Sequence, residues 1–181
     1  MSENTSGFEL KPCLKRISRG DRDALKGLYE AYHRRLYIFS LSIVKNHEIA
    51  QEVTQEFFLS LMSAKSFREI INPESWLYSA VRYISYRVLQ TENKVQKTDI
   101  DPYIDTISVT DRYEDSELPE ALSLLDDTER QIVVLYVYSG ISQKEIAGII
   151  GLPYTRVRTI YRRAADKLRK YYRKEGGINE A

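Results

Sequence analysis

The sequence predicts an all-α protein, two small helical domains joined by a flexible acidic linker. Three features predict it. Apolar residues recur every three or four positions through most of residues 21–92 and again through 118–175, which is the helical period. Between them, residues 93–117 lose that stripe and turn acidic after Lys97. The chain has 181 residues, which suits one ordinary domain or two small ones. A core divided in two is modest in each half, so each domain is expected to be marginal alone. Residues 1–20 read as an N-terminal extension and 176–181 as a tail.

The first domain reads as three helices. In "RDALKGLYEAYHRRLYIFSLSIV", Leu25, Leu28, Tyr32, Leu36 and Phe39 keep the helical spacing. In "HEIAQEVTQEFFLSLM", Ala50, Val53, Phe57 and Leu61 form one stripe. The third, "ESWLYSAVRYISYRVL", follows the Asn72-Pro73 turn signal and is expected to bury Leu77, Ala80, Val81, Ile84 and Val88. The second domain opens with "LPEALSLLDDTERQIVVLYVYSG", read as two helices. Asp127 is placed to cap the second, and Gly140 to end it.

Composition narrows the function classes. The chain is 43% hydrophobic and 29% charged, with formal net charge +1. Cys13 is the only cysteine, which excludes an intrachain disulfide and fits a cytoplasmic protein. The start, "MSENTSGFEL", has neither the basic nor the apolar part of a secretory signal, and no apolar run suits an integral membrane segment. His33 and His47 are scattered and read as surface or boundary residues. No metal site, cofactor or catalytic residue is expected, and the chain reads as a non-enzyme.

Positive charge is concentrated near the C-terminus. "PYTRVRTIYRRAADKLRKYYRK" carries nine Lys or Arg and one acid, Asp166. Ahead of it, Ser142 and Glu145 form a capping box, Gly151 allows a tight turn and Pro153 opens the next helix. A short helix, a Gly turn and a longer helix make a helix-turn-helix. At the helical period Val157, Ile160, Tyr161, Ala164, Ala165 and Leu168 share one side. Thr155, Arg158, Thr159, Arg162 and Arg163 share the other, with Arg156 at its flank. Guanidinium forks and hydroxyls suit phosphates and guanine edges in a major groove. Compensation of the helix dipole is the competing reading; it accounts for Lys167 to Lys174 but not for arginines near the helix start.

Two faces in the first domain are also candidates. Glu52, Gln55, Glu56, Leu59 and Met62 share the outward side of the second helix, and exposed apolar groups beside acids suit a partner's helix. Trp76, Ser79, Tyr83, Tyr86, Arg87 and Gln90 share the outer side of the third. Aromatic rings with a guanidinium can stack unpaired bases, although Trp76 and Tyr83 fit equally well as caps on the core.

These residues resemble the sigma-70 family of bacterial transcription initiation factors, in its small extracytoplasmic-function group. "LDDTERQIVVLYVYSGISQKEIAGIIGLPYTRVRTIYRRAADKLR" is similar to region 4: Leu125, Arg130, Gly140, Ser142, Glu145, Ile146, Ala147 and Gly151 match its first half. Val157, Arg158, Thr159, Ala164, Leu168 and Arg169 match its second. "LYEAYHRRLYIFSLSIV", "AQEVTQEFF" and "WLYSAVRYISYRVL" are similar to region 2, and the resemblance spans about Asp21 to Arg173. It implies a factor that binds core RNA polymerase and promoter DNA. Region 4 would read the minus-thirty-five element through the arginine face. Region 2 would bind polymerase and the minus-ten element, with Lys65, Arg68 and Asn72 in the reading loop. The linker would thread through polymerase, its acids (Asp99, Asp101, Asp105, Asp111, Glu114 and Asp115) mimicking a polyanion or merely solvating a spacer. An anti-sigma factor is a common partner in the group. The sequence departs from the family at Tyr83, Arg87 and Gln90 on the third helix, and at Pro153 and Ile160 in region 4. Those at Tyr83 and Arg87 motivate a second reading, a sigma-like regulatory protein that binds a partner without starting transcription.

Overall fold

The computed structural model describes residues 9–64, 67, 70–98 and 120–175. Every regular element among them is helical: α1 (Leu10–Ile17), α2 (Arg22–Val44), α3 (His47–Ser63), α4 (Pro73–Thr98), a 3-10 turn (Glu120–Leu124), α5 (Asp127–Val133), a π turn (Val134–Tyr138), α6 (Gln143–Ile150) and α7 (Tyr154–Glu175). None is long and apolar enough to cross a membrane.

The first four helices pack around one core. Leu28, Tyr32, Leu36 and Phe39 of α2 meet Ala50, Val53, Phe57 and Leu61 of α3 and Leu77, Val81 and Ile84 of α4, all buried. Leu25 is only half-buried, as are Ala80 and Val88. Tyr78 and Ser85 are buried as well; Ser85 meets Ser40 of α2 at 3.1 Å, and α4 is also covered by α6 of the second group. Local chemistry sets the helix ends. The Asp21 carboxylate accepts the Ala24 amide at 3.0 Å and pairs with Arg16 at 2.8 Å, capping α2. Lys45 ends α2 in the left-handed region at φ 57°, and Asn46 then caps α3 by accepting the Ile49 amide.

Two sequence boundaries shift. The N-terminal extension contains α1, whose Cys13, Leu14 and Ile17 are buried against α2 and α4. Its apolar residues were legible at helical spacing. At the other end α4 runs on to Thr98, into the first residues read as linker. The acids from Asp99 to Asp115 lie outside the described residues.

The second group is built on α5, the π turn, α6 and α7. What reads as a first helix here is only a 3-10 turn. The cap of α5 is Asp126, one residue before the expected Asp127. Its carboxylate accepts the Glu129 amide at 2.8 Å, and Glu129 returns the bond to the Asp126 amide at 3.0 Å. Asp127 is diverted to cations, Lys45 at 2.7 Å and Arg130 at 3.1 Å. The helix expected to run to Gly140 is α5 continued by the π turn, and Gly140 follows it at φ 74°, where a side chain would be strained.

The two groups are docked. Residues 38–44 of α2 are all buried, since α3 and α4 cover one side and α5 with the π turn covers another. A helix apolar nearly all round needs such enclosure. The cap assignment has a direct test. Asp126→Ala should lower the unfolding free energy by about 1 kcal/mol in urea titration, within the usual range of about 0.5–2 for a lost N-cap. An Asp126→Asn variant should recover most of that loss.

Candidate nucleic-acid interface

The second group forms the expected helix-turn-helix. Ser142 caps α6 and Glu145 closes the box, its carboxylate accepting the Ser142 hydroxyl at 2.6 Å and amide at 3.1 Å. That bond, with another from Asn72, holds the Glu145 carboxyl below the usual carboxylate range. Gly151 turns the chain at φ 77°, and the Gly151 and Leu152 amides both close on the Ala147 carbonyl. Pro153 serves as the flanking residue of α7, its carbonyl accepting the first helical bond from Val157.

The faces of α7 sort as the periodicity predicts. Val157 and Ala164 are fully buried in the seam, with Ile160, Tyr161, Ala165 and Leu168 half-buried beside them. Thr155, Arg156, Arg158, Thr159, Arg162 and Arg163 are all exposed. Among the described residues no carboxylate pairs with these four arginines. Arg158 lies over the Tyr154 ring at 5.9 Å, which leaves its edge donors outward. Lys167, read as dipole compensation, instead donates to the buried Glu129 at 2.6 Å. This bond ties the middle of α7 to α5, and the Tyr136–Tyr161 ring contact at 4.7 Å ties it to the π turn. No sequence spacing signals the Lys167–Glu129 pair, because the partners are 38 residues apart.

On α3, Glu52, Gln55, Leu59 and Met62 are exposed and Glu56 is half-exposed. Leu59 and Met62 show 56% and 57% of their surface. They border a cleft shared with Leu25, Tyr29, His33 and Phe58. The His33 ring stacks on Tyr29 at 4.3 Å, so the apolar surface is wider than the α3 stripe alone indicates.

The α4 candidates divide. Tyr83 is 69% exposed, and Arg87 is exposed but bonded to Glu56 of α3. Trp76 is not on an open face. It is half-buried, with its ring against Phe67 at 5.5 Å and Phe57 at 6.2 Å, which is the core-capping alternative. Tyr86 is half-buried and accepts from Gln131 at 2.9 Å. Asn72 is exposed and donates to Glu145 at 2.8 Å. Beside it Ile71, absent from the sequence candidates, is 96% exposed. Lys65 and Arg68 lie outside the described residues.

Two family models match this chain. "Sigma-70 region 2" matches residues 28–95, the α2–α4 group, and "Sigma-70, region 4" matches residues 121–170, from the 3-10 turn into α7. The chain belongs to the extracytoplasmic-function group of the sigma-70 family. It is 31% identical over 144 residues to the RNA polymerase sigma factor SigV of Bacillus subtilis, covering 77% of this chain and 85% of that one. It is 28% identical over 172 residues to the ECF RNA polymerase sigma factor SigK of Mycobacterium ulcerans, covering 89% and 90%. Among solved structures, the fold matches the sigma factor RpoE in complex with the anti-sigma factor NepR from Bartonella quintana. The TM-score there is 0.64 at 19% identity, covering 86% of this chain and 98% of that one. Like its family, this sigma factor directs core RNA polymerase to promoters.

The open arginine face makes a quantitative demand. Arg158→Ala, Arg162→Ala or Arg163→Ala should each weaken binding of holoenzyme to upstream duplex DNA and lower the slope of log K against log salt by about 1. An unchanged slope in all three would return α7 to a merely solvated face.

Proposed function

We propose that the two helical groups divide promoter recognition between them, in the cytoplasm and without a reaction of their own. The single observation that carries this reading is the α7 face. Four arginines and two threonines, held out by a buried Val157–Ala164 seam behind a helix-turn-helix, have no carboxylate partner among the described residues. That surface suits the minus-thirty-five duplex, where guanidinium forks can reach base edges and phosphates together.

The α2–α4 group then meets polymerase and the minus-ten element. Leu59 and Met62, with the Tyr29–His33–Phe58 shelf behind them, offer an apolar strip edged by Glu52, Gln55 and Glu56. Such a strip suits the apolar face of a partner helix, with the edge charges fixing its register. Tyr83 and Arg87, joined by Tyr86 and Asn72, suit an unpaired strand, by ring stacking and phosphate contact. Trp76 supports that face from beneath. An anti-sigma factor would find the same apolar strip.

Run-off transcription with the organism's own core polymerase tests the proposal. Wild-type protein should form holoenzyme and start transcripts at a cognate promoter. Replacing Leu59 and Met62 together by Asp should weaken core binding about ten-fold or more, as for a lost apolar anchor, and leave the fold intact. If wild-type protein never forms holoenzyme, the chain is a sigma-like partner-binding protein and not an initiation factor.

A further inference from the structure

Two kinds of contact hold α7 to the rest of its group. Val157 and Ala164 are fully buried in an apolar seam, with Ile160 and Leu168 half-buried beside them. Such a seam fixes how closely the helix packs. Apolar attraction is non-directional, however, and resists a roll about the helix axis only weakly. The second kind is directional. Lys167 donates to Glu129 Oε2 of α5 at 2.6 Å, and the same oxygen accepts the Asp126 amide at 3.0 Å. Glu129 is only 4% exposed, and the capping box fixes where its carboxylate stands. Among the described side chains, Lys167 is the one charged group of α7 bonded to another element; Asp166 and Arg169 pair within the helix.

The place of this bond gives it a second consequence. Arg156, Arg163 and Lys167 stand at i, i+7 and i+11, so they follow one line along α7. Arg156, Arg163 and Thr155 form one wall of a cleft whose other wall is Asp126, Thr128 and Glu129 of the α5 entry. The Lys167–Glu129 bond joins the same two walls one turn beyond Arg163. A roll of about 15° moves a group about 6 Å from the helix axis by roughly 1.5 Å. That exceeds the spread of about 0.5 Å over which N–H···O bonds form, so contacts to base edges are lost. Attraction to a phosphate falls only as the inverse of distance and changes little.

We propose that Lys167 is a positioning residue for base discrimination: its bond to Glu129 sets the roll of α7 and so aims Arg156 and Arg163 at base edges, without itself touching DNA. The inference rests on the assignment of the α7 face to the minus-thirty-five element. It separates the cations that carry affinity from one that carries sequence preference.

The test compares holoenzyme binding to a cognate promoter duplex and to the same duplex with its minus-thirty-five element scrambled, each over a range of salt. Variants are made in the full chain, and their folding is checked by far-ultraviolet circular dichroism. Lys167→Met should keep its affinity for the scrambled duplex and its salt slope. Its ratio of cognate to scrambled affinity should fall about ten-fold, the share of one bidentate base contact. Lys167→Arg, which can again donate to Glu129, should restore most of that ratio. Glu129→Gln keeps an oxygen for the Asp126 amide and leaves Lys167 charged. Its ratio should fall by a similar factor, while the scrambled duplex binds at least as tightly as to wild type. The double variant should lose no more than either single, because both act through one bond.

Equal loss on both duplexes in Lys167→Met, with a slope lower by about 1, makes Lys167 a phosphate contact and overturns the proposal. A double variant restored to the wild-type ratio also overturns it, since the singles then report only an unpaired buried carboxylate. Wild-type discrimination that both singles retain rejects the positioning alone. A wild-type holoenzyme blind to the scrambling rejects the minus-thirty-five reading, and the positioning with it.

Discussion

The guanidinium of Arg130 sits where the 3-10 turn, the start of α5 and the end of α2 converge. It donates to the Leu122 carbonyl at 3.0 Å, the Leu125 carbonyl at 2.7 Å and the Asp127 carboxylate at 3.1 Å, and it reaches the Ser42 carbonyl at 3.5 Å. Only 8% of the residue is exposed. A buried charge is tolerable only when its donors are used, and here the rigid fork uses them on the carbonyls of the turn and on the Asp127 carboxylate. Arg130 thereby fixes the entry to the second helical group and its angle against the first. From α5 the constraint passes to α7, through the Glu129–Lys167 bond and the Val157–Ala164 seam. The arginine face is presented by a chain of contacts that begins at this residue.

Charge is divided according to partner. A near-neutral chain places free arginines on α7 and leaves acids beside Leu59 and Met62 on α3. Elsewhere opposite charges are spent on structure: Arg16 on the α2 cap, Lys45 on Asp127, Lys167 on Glu129. The cations that have structural partners are therefore separable from the ones left for phosphate, a distinction composition alone does not make.

Local periodicity carried most of the fold into view. The stripes of α2, α3 and α7, the Ser142–Glu145 box and the Gly151 turn depend on neighbours within one or two turns of chain, so the sequence states them directly. What escaped depends on residues far apart. Ser85 is buried against Ser40 of α2, 45 residues away, and Asp127 yields the cap to Asp126 while facing Lys45. Between the two readings the sequence left open for Trp76, the ring takes the core-capping one, against Phe67 and Phe57. On the site, the α7 face was fully legible from period and charge. The state of Asn72 and Tyr86 was not, since their partners lie 73 and 45 residues away.

The most direct test places a cutting reagent on the α7 face. Cys13 is buried, donates its thiol to the Ala24 carbonyl at 3.2 Å, and is held in the protonated, unreactive form chiefly by that burial. A Thr159→Cys variant therefore offers one reactive thiol for an iron chelate. In holoenzyme on a cognate promoter, hydroxyl radicals from that chelate should cut the duplex in a cluster centred on the minus-thirty-five element. Cutting centred on the minus-ten element, or no cutting of promoter DNA by an otherwise active holoenzyme, would contradict the account.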